Sequence, residues 1–434
     1  MKATTIDTNL TSVLQEEFKK AESKKKDLDS VLSKKQKEAF QDFEKTGFPS
    51  TKNEEWKYTN LSSLLKEDFS TSPAPSLTKQ DVIAFIYDLE ANNLVFVNGI
   101  FSNELSTIIS SPSELEISEL KDADKSITSN YYARKAYSSN DGLSLLNTAF
   151  AENGLLLVVK KNKTLKHPVV IYNFTDSRHG NILAQPRNLI ILEENAQAAI
   201  VETFHTVGTN TSFINSISEL VLKQDAVLDY YKIQDDTENS YHVGSTEILH
   251  EAKSTSSSTT VTLGGAITRN NLNITLNAEY CEAHMNGLYM LRGDQHVDNH
   301  TIADHAKANC YSNELYKGIM DDSSTGVFNG KIFVKPDAQK TNAFQSNKNV
   351  LLSREASVNT KPQLEIFADD VKCSHGATTG QLDEESLFYL RSRGIGEAQA
   401  KRLLLHAFAN DVLERIKIEP LKAILSAKME KRLK

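Results

Sequence analysis

Near the C-terminal end, Asp369-Asp370-Val371-Lys372-Cys373-Ser374-His375-Gly376-Ala377 sets a thiol and an imidazole two residues apart. Successive side chains of a strand point to opposite faces, so Val371, Cys373 and His375 share one face and Lys372 and Ser374 the other. Side by side, the thiol and imidazole could ligate a metal or form a Cys-His nucleophile. Nucleophilic chemistry also needs an orienting third group and an oxyanion site, and the sequence offers no specific candidate for either. Buried cysteine is common as a small hydrophobe, which leaves a structural role open.

A second group is Cys281-x-x-His284, then His296 and His300, which has the ligand offsets of a zinc finger, with His305 and Cys310 beyond. A finger surrounds its ligands with a hairpin and a helix, whereas Asn286 to Gly293 reads as a strand and a turn. These histidines are therefore expected to line a coil or lie on the surface, with metal binding by His284, His296, His300 and His305 left open. The phosphate-binding patterns fail. Gly326-Val-Phe-Asn-Gly330-Lys331-Ile332 is one residue short of a P-loop and lacks its Ser or Thr, and Gly394-Ile-Gly396 meets Gln399 where a dinucleotide fingerprint needs glycine. Any nucleotide chemistry thus belongs to a partner. Gly394-Ile-Gly396 beside Arg391, Arg393, Lys401 and Arg402 also resembles a helix-hairpin-helix DNA-binding element, but a glycine C-cap between two packed helices is the simpler account.

The elements that position these residues change character along the chain. Residues 8 to about 70 are rich in Lys, Glu, Leu and Phe and predict helices, with Lys24 to Lys26 on a solvated face. Thr51-Lys-Asn-Glu54-Glu55-Trp56-Lys-Tyr58-Thr59 follows Pro49 and Ser50, and after a loop with Pro73 and Pro75, Thr78 and Asp81 form a capping-box pattern opening a helix through about Leu89. Asn98-Gly99 predicts a hairpin turn, and Asp141 caps a helix running to Gly154. From Leu155 to about Gln381, short strands alternate with turns, as in Leu272, Ile274 and Leu276 or Ile332 and Val334. Turn segments at Asn195, Asp225, Lys253, Asn277, His305, Gly330 and Ala356 lie 24 to 30 residues apart by subtraction. A period in that range marks a solenoid, in which each coil buries its apolar face only by stacking on its neighbours. The fold class is therefore mainly β with α-helical ends: an N-terminal mostly helical domain over 1–154, a parallel β-helix core over 155–382 and a C-terminal helical domain over 383–434, with a β-sandwich as the alternative. In the last, Asp383 caps a helix ending at Arg393-Gly394, and Glu397 to about Ile416 forms another with Ala400, Leu403, Leu404 and Phe408 as its apolar stripe.

The 434 residues carry 49 Lys and Arg against 57 Asp and Glu, a formal net charge of -8, which disfavours a general nucleic-acid or anionic-membrane binder. Three Cys cannot make a disulfide framework in so long a chain. Without an apolar run of eighteen residues or a leader-like N-terminus, the chain is expected to be cytoplasmic.

The segment Val358-Asn-Thr-Lys-Pro362-Gln-Leu-Glu365-Ile-Phe-Ala-Asp-Asp370-Val-Lys-Cys373-Ser-His375-Gly-Ala-Thr378, then Leu387-Phe-Tyr389-Leu-Arg391-Ser-Arg393-Gly394-Ile, closely resembles the SufB/SufD family of iron-sulfur assembly scaffolds, and the Glu54-Glu-Trp56-Lys-Tyr58-Thr motif resembles a second family signature. The Cys-Ser-His-Gly-Ala-Thr form, with no Cys before Cys281, is similar to the SufD branch. The resemblance implies a right-handed parallel β-helix between helical ends, in a SufBCD-type complex with a SufB-like subunit, met through the β-helix, and a SufC-like ABC ATPase. It implies that His375, with Cys373 beside it, serves a nascent-cluster site shared with SufB. It places SufC docking on the C-terminal helical domain at Leu387, Tyr389, Arg391, Arg393 and Gly394. No cofactor is expected to stay bound to the isolated chain, which could pair with itself; an iron-sulfur cluster would be transient in the complex. The expectation is thus a non-enzymatic scaffold; the alternative is a metal-dependent or Cys-His hydrolase on a β-solenoid, with a DNA-binding protein a distant third.

Overall fold

The computed structural model describes residues 9–24, 30–71, 77–134, 141–151 and 154–433; Lys25, Lys26, Pro73 and Pro75 lie outside them. In chain order the strands are β1 Asn92–Val97, β2 Ile100–Thr107, β3 Leu115–Glu119, β4 Leu155–Val159, β5 Val169–Asp176, β6 Ile182–Ala184 and β7 Arg187–Leu192. Next come β8 Gln197–Val207, β9 Ser212–Leu222, β10 Val227–Gln234, β11 Ser240–His250, β12 Thr255–Thr262, β13 Ile267–Leu276 and β14 Glu282–Leu291. The last six are β15 His296–His305, β16 Tyr311–Met320, β17 Thr325–Val334, β18 Asn342–Leu351, β19 Ser357–Ile366 and β20 Lys372–Gly380. The first sheet runs β2-β1-β5-β8-β10-β12-β14-β16-β18-β20 and the second β19-β17-β15-β13-β11-β9-β7-β4-β3, with β6 beside β9. Alternate strands therefore join alternate sheets, giving a β-solenoid of about eight turns with helices at its N- and C-terminal ends. The Asn98-Gly99 hairpin forms, both residues taking positive φ (53° and 82°), and its strand β1 pairs in parallel with β5, so the stack also draws strands from before Leu155.

One corner of each coil repeats. Asn162, Asn195, Asp225, Lys253, Tyr280, Asn309 and Lys340 all have φ between 57° and 62°. Their spacings are 33, 30, 28, 27, 29 and 31 residues by subtraction. A positive φ is costly for a residue with a Cβ, and the stack holds it in place. The corner N–H of Asn195, Asp225, Lys253, Asn309 and Lys340 each donates to a carbonyl one coil further on, of Gln224, Ala252, Glu279, Gln339 and Asp370, at 2.6 to 3.1 Å. After these corners come Ala196, Ala226, Ser254, Cys281, Cys310 and Thr341, small side chains buried inside the bend. Three of the turn segments read from the sequence, at Asn195, Asp225 and Lys253, coincide with these corners. Gly330 does not: it lies within β17, where its missing side chain makes room for Gln345.

Inside, buried side chains form columns across coils, mostly apolar but with histidines among them. Leu222, His250, Leu276, His305 and Val334 stand in register, one from each successive strand of the second sheet. Ile274 and Ile332 are completely buried beside them, each contributing about 1.5–3 kcal/mol through removal from water.

Helices cover the outer faces. At the N-terminal end, α1 Asn9–Lys24, α2 Val31–Thr46, α3 Lys79–Val82, α4 Lys125–Tyr131 and α5 Gly142–Phe150 appear. Phe18 stacks on Phe40 with ring centroids 4.0 Å apart, and both join Leu143 and Leu146 of α5 over Phe213 and Val243 of the second sheet. The Thr78–Asp81 capping box forms, but α3 tightens at Ile83–Phe85 and stops before Leu89. There the Tyr87 N–H turns away to donate to the Tyr172 hydroxyl at 2.9 Å, so the chain follows a tertiary bond and not the helical one.

At the C-terminal end stand α6 Glu384–Ser392, α7 Glu397–Leu413 and α8 Glu419–Arg432. The buried stripe of α7 is Ala400, Leu405, Ala409, Val412 and Leu413, packed with Val201, Tyr231 and Ile233 of the first sheet. Of the stripe predicted from sequence only Ala400 is fully buried; Leu403 points to solvent and Leu404 and Phe408 lie at the margin. Lys317 of β16 sets that rotation by donating to the Phe408 carbonyl at 2.8 Å and pairing with Asp411. No described helix is long and apolar enough to cross a membrane.

Candidate functional site

The two ends of the solenoid differ. At its C-terminal end, β19 and β20 are edge strands of their sheets, and every residue of both is half-buried or exposed, whereas at least half of the residues of β17 and β18 beneath them are buried. An edge strand presents unpaired N–H and C=O groups, a template for another chain. On this uncovered coil, Ala343 and Gln345 of β18 pair in register with Cys373 and His375, placing the last two on the inward-facing row. Cys373 is half-buried against the core, next to Val371, and burial pushes its thiol up. His375 is exposed. Two soft or borderline ligands meet solvent at one rim. Among the described residues no group of three His, Cys, Asp or Glu side chains is arranged to hold a metal ion, here or elsewhere.

The other sequence candidates disperse. Cys281 and Cys310 are adjacent corner residues sharing the Ala278 carbonyl at 3.2 and 3.1 Å. His305 lines the coil interior, bonded to Ser312 Oγ at 2.8 Å, and burial lowers it to about 4. His284 sits on the outer face next to Glu282. His296 and His300 serve the Trp56 segment. Its indole lies 4.0 Å from the Arg269 guanidinium, which donates to the Glu55 carbonyl at 2.7 Å and to Asp298 at 2.6 Å. Thr59 donates to the same carboxylate at 2.5 Å and contacts His296 at 2.9 Å, while His300 meets Asp298 at 2.9 Å and Glu55 at 3.3 Å. Burial alone would raise the Asp298 carboxyl; Arg269 and His300 outweigh it and hold it far below the usual range. The Glu-Glu-Trp motif therefore fastens the N-terminal region onto β13 and β15.

Asp383 caps α6 by accepting from the Ser386 N–H, and Gly394 follows the helix with φ 87°. None of its residues is buried. Tyr389 is 56% exposed with the Arg393 guanidinium 5.2 Å from its ring centre, and Arg391 reaches Glu397 at 3.5 Å. Leu387 turns into a groove of about 810 Å³ also lined by Leu382, Arg402 and Leu405. Sequence reasoning missed Phe388, the most exposed large apolar residue among the described residues at 75%. The run Leu387-Phe388-Tyr389-Leu390 carried the signal, because four successive apolar residues cannot all face one side of a helix. Gly326 to Gly330 lies within strand β17 and not in a loop that opens a helix.

The structure thus joins a parallel β-solenoid with helical ends, an exposed terminal coil bearing a Cys-x-His row and a latch at Trp56. The SUF system FeS cluster assembly SufBD core domain matches residues 174–408, and the SufBD protein N-terminal region matches residues 6–171. The chain belongs to the SufB/SufD family of iron-sulfur cluster assembly proteins. Within it the chain is SufD-like: it is 32% identical over 391 residues to the iron-sulfur cluster assembly protein SufD of Escherichia coli K12, covering 90% of each chain. It is 34% identical to an iron-sulfur cluster assembly SufBD family protein of Synechocystis, over 92% of this chain and 90% of that one. Protein ABCI7, chloroplastic, of Arabidopsis thaliana is 30% identical over 85% and 79% of the two chains.

Proposed function

We propose that this chain is a non-catalytic scaffold subunit of a SufBCD-type complex in the cytoplasm. Its open C-terminal coil adds to the solenoid of a SufB-like subunit, and His375 with Cys373 contributes to a nascent iron-sulfur cluster held between the two. Exposed α6 docks a SufC-like ABC ATPase, which supplies the nucleotide chemistry absent here. The cluster is cargo, and the isolated chain retains none; without its partner, the same open coil pairs two copies of the chain. The observation that carries this is the uncovered last coil with Cys373 and His375 on its inward row. A Cys-His hydrolase gains no support, because burial pushes the Cys373 thiol up, away from the thiolate a nucleophile needs.

Affinity purification from the native host tests the proposal. Recovery of one second solenoid chain and one P-loop ATPase in stoichiometric amounts is the expected result. A chain recovered with neither, yet turning over a small substrate, overturns it.

A further inference from the structure

Inward of the open end, one column of the solenoid departs from its apolar neighbours. Met285, Glu314, Gln345 and His375 occupy successive in-register positions on β14, β16, β18 and β20. Glu314 is 1% exposed and Gln345 4%. No cation pairs with Glu314 among the described residues; its Oε2 accepts from Gln345 Nε2 at 2.7 Å. Once it has lost its proton the Glu314 carboxylate only accepts, and this bond then dictates which end of the amide faces it. Gln345 Oε1 is then left buried with no hydrogen-bond partner among the described residues. A buried carbonyl oxygen without a donor is costly, and such an oxygen calls for a partner. The in-register side chain on the next coil is His375, at the ~4.8 Å separation of neighbouring strands. The second sheet makes room for the amide: a Cβ on Gly330 would stand 2.3 Å from Gln345 Nε2.

We infer that Glu314 and Gln345 are positioning residues for His375. Glu314 orients the amide, and Gln345 Oε1 accepts the inward ring N–H of His375, holding the neutral imidazole in one tautomer with its other nitrogen turned outward. A ligand histidine is commonly fixed by such an acceptor on its second nitrogen. The inference rests on the role proposed above for His375, but the ring geometry can be read without any cluster.

The test uses the full chain labelled with ¹⁵N-histidine, with the His375 signals assigned by their loss in His375→Ala and the pH held above the range in which Glu314 takes up a proton. Wild type should show one protonated and one bare ring nitrogen. Gln345→Met keeps the length but removes the acceptor, and should average the two signals; Glu314→Gln frees the amide to turn and should average them in part. In the complex reconstituted with partner chains, Gln345→Met should lower cluster yield at least three-fold without changing complex size. Unmoved His375 signals in either variant overturn the inference, and Glu314→Gln alone decides between the two outcomes if Gln345→Met does not fold. Signals that average as stated, while His375→Ala keeps full cluster yield, uphold the positioning and instead refute the role of His375 in assembly.

Discussion

Cys373 and His375 share a row but meet different physics. The exposed imidazole offers a nitrogen at little cost, whereas the half-buried thiol must surrender a proton before it can ligate. Deeper in the same interior, burial pushes the Glu314 carboxyl up to about 7. In the unfolded chain it titrates near 4.3, so between roughly pH 4.3 and 7 the native state holds a proton that the unfolded state has released. Stability therefore falls as pH rises through that window and is level above it. Glu314→Gln should remove this slope: unfolding in urea should show the variant on the order of 3 to 4 kcal/mol more stable than wild type at pH 8, with little difference at pH 4. A difference that is the same at both pH values contradicts the assignment of Glu314 as a buried, uncompensated carboxyl. The Cys-x-His row was legible because strand alternation acts over two residues. The Glu314–Gln345–His375 column was not, since its members are neighbours only through coils some thirty residues apart in the chain.

At the scale of elements, legibility tracks how local the cause is. Asp141, Asp383 and the Thr78–Asp81 pair cap helices through bonds spanning three residues, and sequence alone finds them. Corners at Tyr280 and Lys340 escape notice because these types have no preference for positive φ; stacking imposes it. The α7 stripe departs from its sequence expectation because contacts from Lys317, remote in sequence, fix the helix rotation. The same packing guides the docking test. Deleting everything after Asp383 would strip Leu405, Leu413 and Leu421 from the first sheet and expose its core. Changing the exposed residues of α6 alone would not, since none of its residues is fully buried. Phe388→Ala with Tyr389→Ala should leave the thermal midpoint unchanged and weaken binding of the ABC ATPase at least ten-fold by calorimetry, as loss of two aromatic anchors would. Full affinity in that variant removes α6 from the docking surface.

For the whole molecule, the asymmetry of the stack matters most. Helices and the Trp56 latch cover its flanks, while its last coil keeps edge strands and inward-facing side chains open to solvent. A solenoid normally ends in a cap, and leaving one end bare is consistent with a partner serving as that cap. Turn periodicity made the solenoid visible in the sequence, but not the contribution of β1 to the stack, because an Asn-Gly hairpin within a helix-rich stretch gives no hint of pairing with a strand 77 residues later by subtraction. The most direct measurement is cluster yield in the reconstituted three-subunit complex carrying His375→Ala with Cys373→Ser, with size-exclusion chromatography verifying assembly. The account predicts a complex of wild-type size whose cluster yield falls by about ten-fold or more. A fully assembled double variant that forms clusters at the wild-type level would contradict it and return both residues to structural roles.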